Sequence, residues 1–310
     1  MALTVSHSDA RPRSRMGVVR ALVAMTRPSQ VALIMVIYLD GVLLAAWRGS
    51  TIPNALASVA VGLVLVALVA VAAHLANEAA DHATDRLTRR TPYSGGSGAL
   101  EASGLDARVP LKGAVLAAVV VVALTGLLVV AGQLPGAAAA LLLLGLAGAL
   151  GYSLPPVAAM RRGWGEPLNA LVGGLLLPLS GVAVLAGTLE MLDVIAFLPL
   201  LLVSFASVLA TAWPDRAADV ATGKATMQVR LPTLTLRRIH AFASGAAVLA
   251  MVLAAASGAM PLALLGLLVL PALVLGLRDY TRRESPLPNV VVMVGLVAIQ
   301  TVVLAGVVLL

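Results

Sequence analysis

The sequence predicts an all-α membrane protein whose chain crosses the bilayer about nine times. Of its 310 residues, 60% are hydrophobic and only 11% are charged, whereas charged residues make up about 25% of an average soluble domain. The apolar residues form stretches close to the ~20 residues that a helix needs to span a bilayer. Cysteine is absent, which excludes a disulfide framework and a thiolate metal site.

Nine apolar stretches approach the length that a hydrocarbon core of about 30 Å requires. They cover residues 29–47, 54–76, 111–131, 136–155, 167–188, 192–213, 239–257, 260–277 and 289–310. Residues 28–310 are therefore predicted to form a single membrane domain. The preceding residues, 1–27, are expected to be a disordered cytoplasmic tail.

The distribution of Lys and Arg predicts the orientation in the membrane. With the N-terminus in the cytoplasm, all of the 21 Lys and Arg residues except Arg48 fall in the tail or in cytoplasmic connections. This asymmetry agrees with the positive-inside rule and places the C-terminus outside the cell membrane. It also accounts for the net charge of +7 without a nucleic-acid partner.

Asn77, Asp81 and Asp85 are spaced by four residues after the second predicted span. Residues at i, i+4 and i+8 share one face of a helix, and ionisable groups beside membrane helices are costly and therefore functional candidates. Mg²⁺ prefers oxygen ligands and is often held by one or two carboxylates together with substrate phosphates. The stripe predicts such a site; the alternative is a solvated helix end with ordinary loop charges.

A second acidic pair, Asp215 and Asp219, follows the sixth predicted span. It is followed by Gly223, which permits unusual backbone turns, and by Lys224 and Arg230. These cations are suited to neutralising phosphate oxygens. Positive-inside charge is the alternative explanation for the basic residues, but it explains the acids poorly because acids contribute little to topology.

The two acidic clusters are predicted to face each other at one depth of the bundle. They begin the two long connections, residues 77–110 and 213–238, and the spans before them run in the same direction. Carboxylates and cations gathered in this way suit divalent metal ions and a multiply charged anion. The pattern therefore predicts the departure of diphosphate at the cytoplasmic face of a membrane.

These motifs resemble those of the UbiA superfamily of intramembrane prenyltransferases. The segments that carry the resemblance are Thr26-Arg27-Pro28, the Asn77/Asp81/Asp85 motif, the loop 89–100, Gly151-Tyr152-Ser153 through Pro155, Gly163 through Glu166, Asp215/Asp219 with Gly223-Lys224 and Thr226, and Val229-Arg230-Leu231. The glycine-rich loop 89–100, whose composition also fits a flexible linker, looks most like the branch near 1,4-dihydroxy-2-naphthoate polyprenyltransferases.

The resemblance implies nine helices around a central cavity, Mg²⁺ as cofactor and a polyprenyl diphosphate as donor. The implied metal ligands are Asn77, Asp81, Asp85, Asp215 and Asp219. The implied diphosphate-binding residues are Asn77, Arg27, Arg86, Arg90, Lys224 and Arg230. Tyr152 matches the family's position near the reacting carbon, where an aromatic face stabilises an allylic cation, so the implied catalytic set is Tyr152 and the four aspartates.

The expected function is Mg²⁺-dependent transfer of a polyprenyl group to a small aromatic acceptor, in the biosynthesis of a quinone such as menaquinone. A terpene cyclase of the same superfamily is an alternative, because it shares the metal machinery. A transporter is an alternative of another class, but transporters place polar sites near the midplane. Asp40, inside the first span, is expected to line the cavity, to stay neutral or to reach the outer interface.

Overall fold

The computed structural model describes residues 17–50 and 55–309, and within them all regular structure is helical, as predicted. The α-helices are α1 Val18–Met25, α2 Pro28–Trp47, α3 Ala55–Asp85, α4 Ala99–Ser103, α5 Arg108–Val130, α6 Gly136–Ser153, α7 Gly165–Leu171, α8 Leu177–Ala186, α9 Met191–Ala212, α10 Arg216–Ala221, α11 Met227–Arg230, α12 Thr233–Ala256, α13 Leu270–Asp279 and α14 Leu287–Leu309. Two 3₁₀-helices, Ala159–Arg161 and Ala263–Val269, and a π-helical turn, Val172–Leu176, complete the regular structure of these residues.

Eight helical segments of the described residues are long and apolar enough to cross a membrane. Seven are single helices, and the eighth joins α7, the π-helical turn and α8 into one run, Gly165–Ala186. The π-helical turn ends just before Pro178, whose missing N–H breaks the regular hydrogen-bond pattern of a helix. Several large apolar side chains of α5, including Leu116 and Leu127, are exposed on the outside of the bundle, as a lipid environment requires.

The predicted span at 260–277 is broken into two short helices. The 3₁₀-helix Ala263–Val269 has seven residues and is followed directly by α13, which has ten. With rises of about 2.0 and 1.5 Å per residue, the two together extend roughly 29 Å. That length matches a hydrocarbon core of about 30 Å, so this segment supplies the ninth crossing that the sequence predicts.

The broken segment runs from one end of the bundle to the other. Before it, the carbonyl of Ala259 accepts a hydrogen bond from Arg48, which follows α2. After it, Tyr280 packs edge-to-face against Trp213, which follows α9. We refer to the end at which α3 finishes with Asp85 as the acidic end, and to the end at which α2 finishes as the opposite end.

Two glycines allow α2 and α8 to pack with their backbones in contact. A Cβ at Gly41 would overlap the carbonyl of Pro178, and a Cβ at Gly181 would overlap the carbonyl of Tyr38. Small residues at such crossings are the usual means of close helix packing in membranes. Because α2 and α8 are held together in this way, the positions of α2 and of Arg27 at its start are fixed relative to the rest of the bundle.

Three boundaries differ from the sequence prediction. Helix α3 continues to Asp85, so the long connection begins at residue 86 and not at 77. The second connection contains α10 and α11 and ends where α12 begins, at Thr233. Finally, the expectation of a disordered tail over 1–27 is wrong for Val18–Met25, which forms α1 and buries Ala21 and Met25; residues 1–16 lie outside the described residues.

Candidate functional site

The first acidic motif occupies the last turns of α3. The spacing of four residues places Asn77, Asp81 and Asp85 along one face of the helix. The Asn77 amide donates a hydrogen bond to Asp81 Oδ2 at 2.8 Å. Asp81 is buried and Asp85 is half-buried. The motif is therefore preorganised, with one carboxylate already oriented by its neighbour.

The second acidic motif lies where α9 ends and α10 begins. Helix α9 stops at Ala212, two residues before Pro214, which has no N–H with which to continue the helical hydrogen bonds. Asp215 occupies the N-cap position of α10 without a side-chain capping hydrogen bond, and Asp219 lies within the helix. Asp219 is buried and accepts a hydrogen bond from the Thr226 hydroxyl at 3.1 Å.

Lys224 joins the two motifs. Its Nζ lies 2.6 Å from Asp81 Oδ1 and 3.8 Å from Asp219 Oδ1, and only 3% of its side chain is exposed. Gly223, at φ +70°, makes the turn that brings Lys224 back over α10, and the Lys224 N–H bonds to the Asp219 carbonyl at 2.9 Å. The prediction that acids of the two motifs face each other is thus confirmed.

The acids of this cluster outnumber the cation between them. Burial and then the negative charge of Asp219 raise the pKa of Asp215 to about 7. Burial also raises the pKa of Asp219, against the opposing effect of Lys224. Asp215 Oδ1 is buried and has no hydrogen-bond partner among the described residues. An additional cation would therefore favour the ionised form of these carboxylates.

The chemistry of the cluster fits a hard cation. Its free ligands are carboxylate oxygens, which Mg²⁺ and similar ions prefer, and the unpartnered oxygen of Asp215 provides a free coordinating atom. Among the described residues no three His, Asp or Glu side chains already stand together at metal-binding spacing. In the described residues the ammonium group of Lys224 lies between the carboxylates of Asp81 and Asp219.

A glycine-rich loop folds over the end of α3. Gly96 has φ +66°, and a Cβ there would overlap the carboxylate of Asp85. Ser97 donates to Glu78 through its N–H at 3.3 Å and its hydroxyl at 2.5 Å. Arg90, which is predicted to bind diphosphate, donates to the Gly95 carbonyl of this loop at 3.1 Å. The segment is therefore an ordered loop that packs over the first motif, rather than a flexible linker.

The other predicted cations occupy different places. Arg27, in left-handed backbone conformation at φ 51°, donates to Asn77 and Glu78, each at 3.4 Å. Arg86 is exposed and lines, with Asp85 and Arg90, a small surface recess. Arg230 is exposed and donates to the carbonyl of Arg162. Arg27 and Arg86 therefore lie at the first motif, whereas the Arg230 guanidinium is bonded to the turn before α7.

Tyr152 lies beside α7. A Cβ on Gly165 would stand 3.1 Å from Tyr152 Cε2, so the ring rests against the helix start. The position near the reacting carbon that the resemblance implies for Tyr152 stays a prediction.

Sequence reasoning missed the contacts that hold the site together. Glu78 pairs with Arg27, and the Thr84 and Thr222 hydroxyls bond at 3.1 Å across the two motifs. The one available signal was that Thr84 and Thr222 each lie within three residues of a motif aspartate. Glu166, which is buried and bonded to the Met227 N–H at 3.0 Å, stood in the resemblance without a role.

The fold and this site define a helical membrane protein that holds two carboxylate motifs, joined by a buried lysine, at one end of its bundle. The chain belongs to the UbiA prenyltransferase family, whose profile matches residues 33–296. Members of that family are enzymes that transfer prenyl groups. No curated protein matches the chain in sequence.

Solved structures share the fold at low sequence identity. A UbiA homolog from Archaeoglobus fulgidus bound to DMAPP and Mg²⁺ is 16% identical, with a TM-score of 0.66 over 92% of this chain and 99% of that one. The same homolog bound to GPP and Mg²⁺ gives 16% identity and 0.65 over 94% and 100%. A digeranylgeranylglyceryl phosphate synthase gives 15% identity and 0.62 over 94% and 97%.

Proposed function

We propose that the protein transfers a polyprenyl group from a polyprenyl diphosphate to a small aromatic acceptor in a Mg²⁺-dependent reaction. Membership of the UbiA prenyltransferase family supports group transfer. The structural relatives bound to DMAPP or GPP together with Mg²⁺ support a prenyl diphosphate donor and this metal. The glycine-rich loop favours the branch near 1,4-dihydroxy-2-naphthoate polyprenyltransferases, and thus a role in quinone biosynthesis such as that of menaquinone.

The observation that carries the proposal is the joining of the two acidic motifs by Lys224. Its ammonium contacts Asp81 and Asp219, while Asp215 keeps a free buried oxygen. Ion pairs that serve stability alone have no reason to leave a carboxylate oxygen unpaired in a buried place. A diphosphate with its metal ions supplies both the missing cations and a negative partner for Lys224.

Each group has a distinct task in the proposed reaction. Asp81, Asp85, Asp215 and Asp219, with Asn77, would hold Mg²⁺, which when bound neutralises charge on the departing diphosphate. The cations are proposed to bind the phosphate oxygens: Lys224 and Arg230 from the second connection, and Arg27, Arg86 and Arg90 from around the first motif. The Tyr152 ring stabilises positive charge that develops on the prenyl carbon. The surrounding helices exclude water from that carbon.

We further propose that the protein lies in the cell membrane with its acidic end in the cytoplasm, its N-terminus inside and its C-terminus outside. The support is the Lys and Arg distribution, of which only Arg48 departs. The acidic end is then open to a soluble, charged donor head group, while the prenyl chain stays within the bundle or the lipid.

An assay with the purified protein tests this function. Labelled geranylgeranyl diphosphate is supplied with a panel of aromatic quinone precursors, including 1,4-dihydroxy-2-naphthoate and 4-hydroxybenzoate. We expect a prenylated aromatic product with Mg²⁺, none with a chelator, and recovery when Mg²⁺ is restored. A cyclic hydrocarbon formed without any acceptor would overturn the transferase proposal in favour of a cyclase.

A further inference from the structure

Glu166 is a buried carboxylate for which the proposed reaction so far has no use. It lies in the first turn of α7, with 3% of the residue exposed. Its Oε1 accepts the Met227 N–H at 3.0 Å. Its Oε2 is fully buried and has no hydrogen-bond partner among the described residues. One oxygen is therefore held in place while the other is free.

The free oxygen is unsatisfied in either protonation state. As a carboxylate, Oε2 lacks a donor; as a carboxylic acid, its O–H lacks an acceptor. Buried polar atoms in folded proteins nearly always have partners, and a persistent exception calls for a specific cause. A ligand hydroxyl that enters the site is such a cause, because it can donate to Oε2.

The neighbours of Glu166 place it at the reaction site. The residue before it, Gly165, lies against the ring of Tyr152. Its partner Met227 follows Thr226, whose hydroxyl binds Asp219 at 3.1 Å. Glu166 is thus linked through Gly165 to the tyrosine proposed for the prenyl cation, and through Met227 and Thr226 to a carboxylate proposed for the metal ions.

We propose that Glu166 is the catalytic proton acceptor for the phenolic hydroxyl of the aromatic acceptor, an inference that rests on the proposed function. The hydroxyl proton passes to Glu166 Oε2 as the neighbouring ring carbon forms the new bond to C1 of the prenyl group. The C1–O bond breaks and its electron pair leaves with diphosphate. The immediate product is a ring ketone; its tautomerisation restores the phenol, and no oxidant or reductant is consumed.

The substitution Glu166→Gln separates proton transfer from packing. Glutamine keeps the shape and the oxygen that accepts the Met227 N–H, but it cannot take a proton at neutral pH. Loss of a general base typically costs 10²–10⁴-fold in rate, so prenylation of 1,4-dihydroxy-2-naphthoate or 4-hydroxybenzoate should fall at least about 100-fold. Binding of geranyl diphosphate should stay within about twofold of wild type, since the charges proposed for the donor are untouched. Glu284→Gln, the same change at an exposed glutamate, is the matched control and should leave both quantities unaltered.

A chemical rescue distinguishes a proton acceptor from a structural residue. Ring-fluorinated acceptors, whose phenol is more acidic, should recover part of the lost rate in Glu166→Gln, because they need the base less. Transfer within about threefold of wild type, or a loss that fluorination leaves unchanged, would overturn the proposal. A loss of donor affinity equal to the loss of rate would also overturn it, by assigning Glu166 to the diphosphate site.

The wild-type protein gives an independent answer if the variant does not fold. A methyl ether of the accepted phenol has no proton to give, so it should not be prenylated. Conversion of the ether at the rate of the phenol would overturn the role of Glu166 while leaving the transferase function standing. If the wild type prenylates no aromatic acceptor at all, the proposed function fails first, and this inference fails with it.

Discussion

The two ends of the bundle each hold a buried ion pair. The two pairs differ in how many of the buried polar atoms around them have a hydrogen-bond partner. At the opposite end, Arg48 donates to Asp193 Oδ1 and to the Ala259 carbonyl at 2.6 Å. Asp193 Oδ2 accepts the Glu190 N–H at 2.7 Å. Every oxygen of that carboxylate has a partner, and the pair ties the ends of α2, α9 and α12 together.

At the acidic end, several buried polar atoms have no hydrogen-bond partner among the described residues. Lys224 binds Asp81 and Asp219, yet Asp215 Oδ1, Glu166 Oε2 and Arg27 Nε are buried without a partner among the described residues. At both ends, placing charged side chains beside a membrane costs free energy. The difference indicates that the Arg48 pair stabilises the fold, whereas the Lys224 cluster retains binding capacity for a ligand.

The largest expected effect comes from removing an acid of the cluster. Asp81→Ala or Asp215→Ala should lower the rate of prenyl transfer by at least about 10³-fold, because each removes preorganised charge at the leaving diphosphate. Asp215→Ala should affect the thermal unfolding midpoint far less than the rate, since its Oδ1 makes no hydrogen bond within the described residues. Full activity of either variant, measured in the labelled-donor assay, would remove the two acidic motifs from the reaction.

The opposite end should show the reverse pattern. Arg48→Met leaves Asp193 buried without its cation and should cost about 3 kcal/mol of unfolding free energy, measured by chemical unfolding in detergent. Arg48→Met with Asp193→Leu should regain most of this, because apolar replacement of a whole buried pair is often neutral. The transfer rate per folded molecule should stay at the wild-type level. A stable Arg48→Met protein that has lost activity would show that the Arg48 pair serves the reaction and not the stability of the fold.

Substitutions in the glycine-rich loop test how accurately the Asp85 carboxylate has to be positioned for activity. Gly96→Ala would drive a Cβ into the Asp85 carboxylate, and a misplacement of about 1 Å can cost 10²-fold in rate. Gly104→Ala is the matched control, because Gly104 has φ +68°, close to the +66° of Gly96, but open space around it. Both variants should lose similar stability from the left-handed backbone, and only Gly96→Ala should lose activity in the transfer assay. Equal activity losses would attribute the effect to backbone strain alone.

The smallest effect concerns a single cation. Lys224→Ala should weaken the binding of geranyl diphosphate about tenfold, in line with the worth of one charged hydrogen bond. Arg237→Ala is the control, because Arg237 bonds to Thr281 and not to the acids. Binding isotherms of the two variants decide between a specific phosphate site and an effect of general surface charge. General surface charge would weaken the binding of geranyl diphosphate equally in both variants.

Much of the fold could be predicted because membrane helices have a required length and an apolar composition. Hydropathy marks the bilayer-crossing part of a helix, however, and not its continuation. Helix α3 therefore extends nine residues past the predicted end at residue 76, as far as Asp85. The helix Val18–Met25 was missed because it lies in a basic segment, although its apolar residues were a visible signal.

The site was predictable only within each motif. The four-residue spacing places Asp81 and Asp85 on one helical face from the sequence alone. The pair between Lys224 and Asp81 joins residues 143 positions apart and depends on how α3 packs against the turn after α10. Nor could spacing show that one oxygen of Glu166 is bonded and the other free, because this depends on where α11 begins.

The two acidic motifs are proposed to form one cation site. Electron paramagnetic resonance of Mn²⁺, a substitute for Mg²⁺, can count bound ions in the presence of geranyl thiolodiphosphate, a donor analogue that is not cleaved. If the motifs act together, Asp81→Ala, Asp219→Ala and the double variant should each lose donor-dependent Mn²⁺ binding to the same extent, as coupled sites do. Separate, additive losses in the two single variants would show two independent sites and would rule out a single shared site.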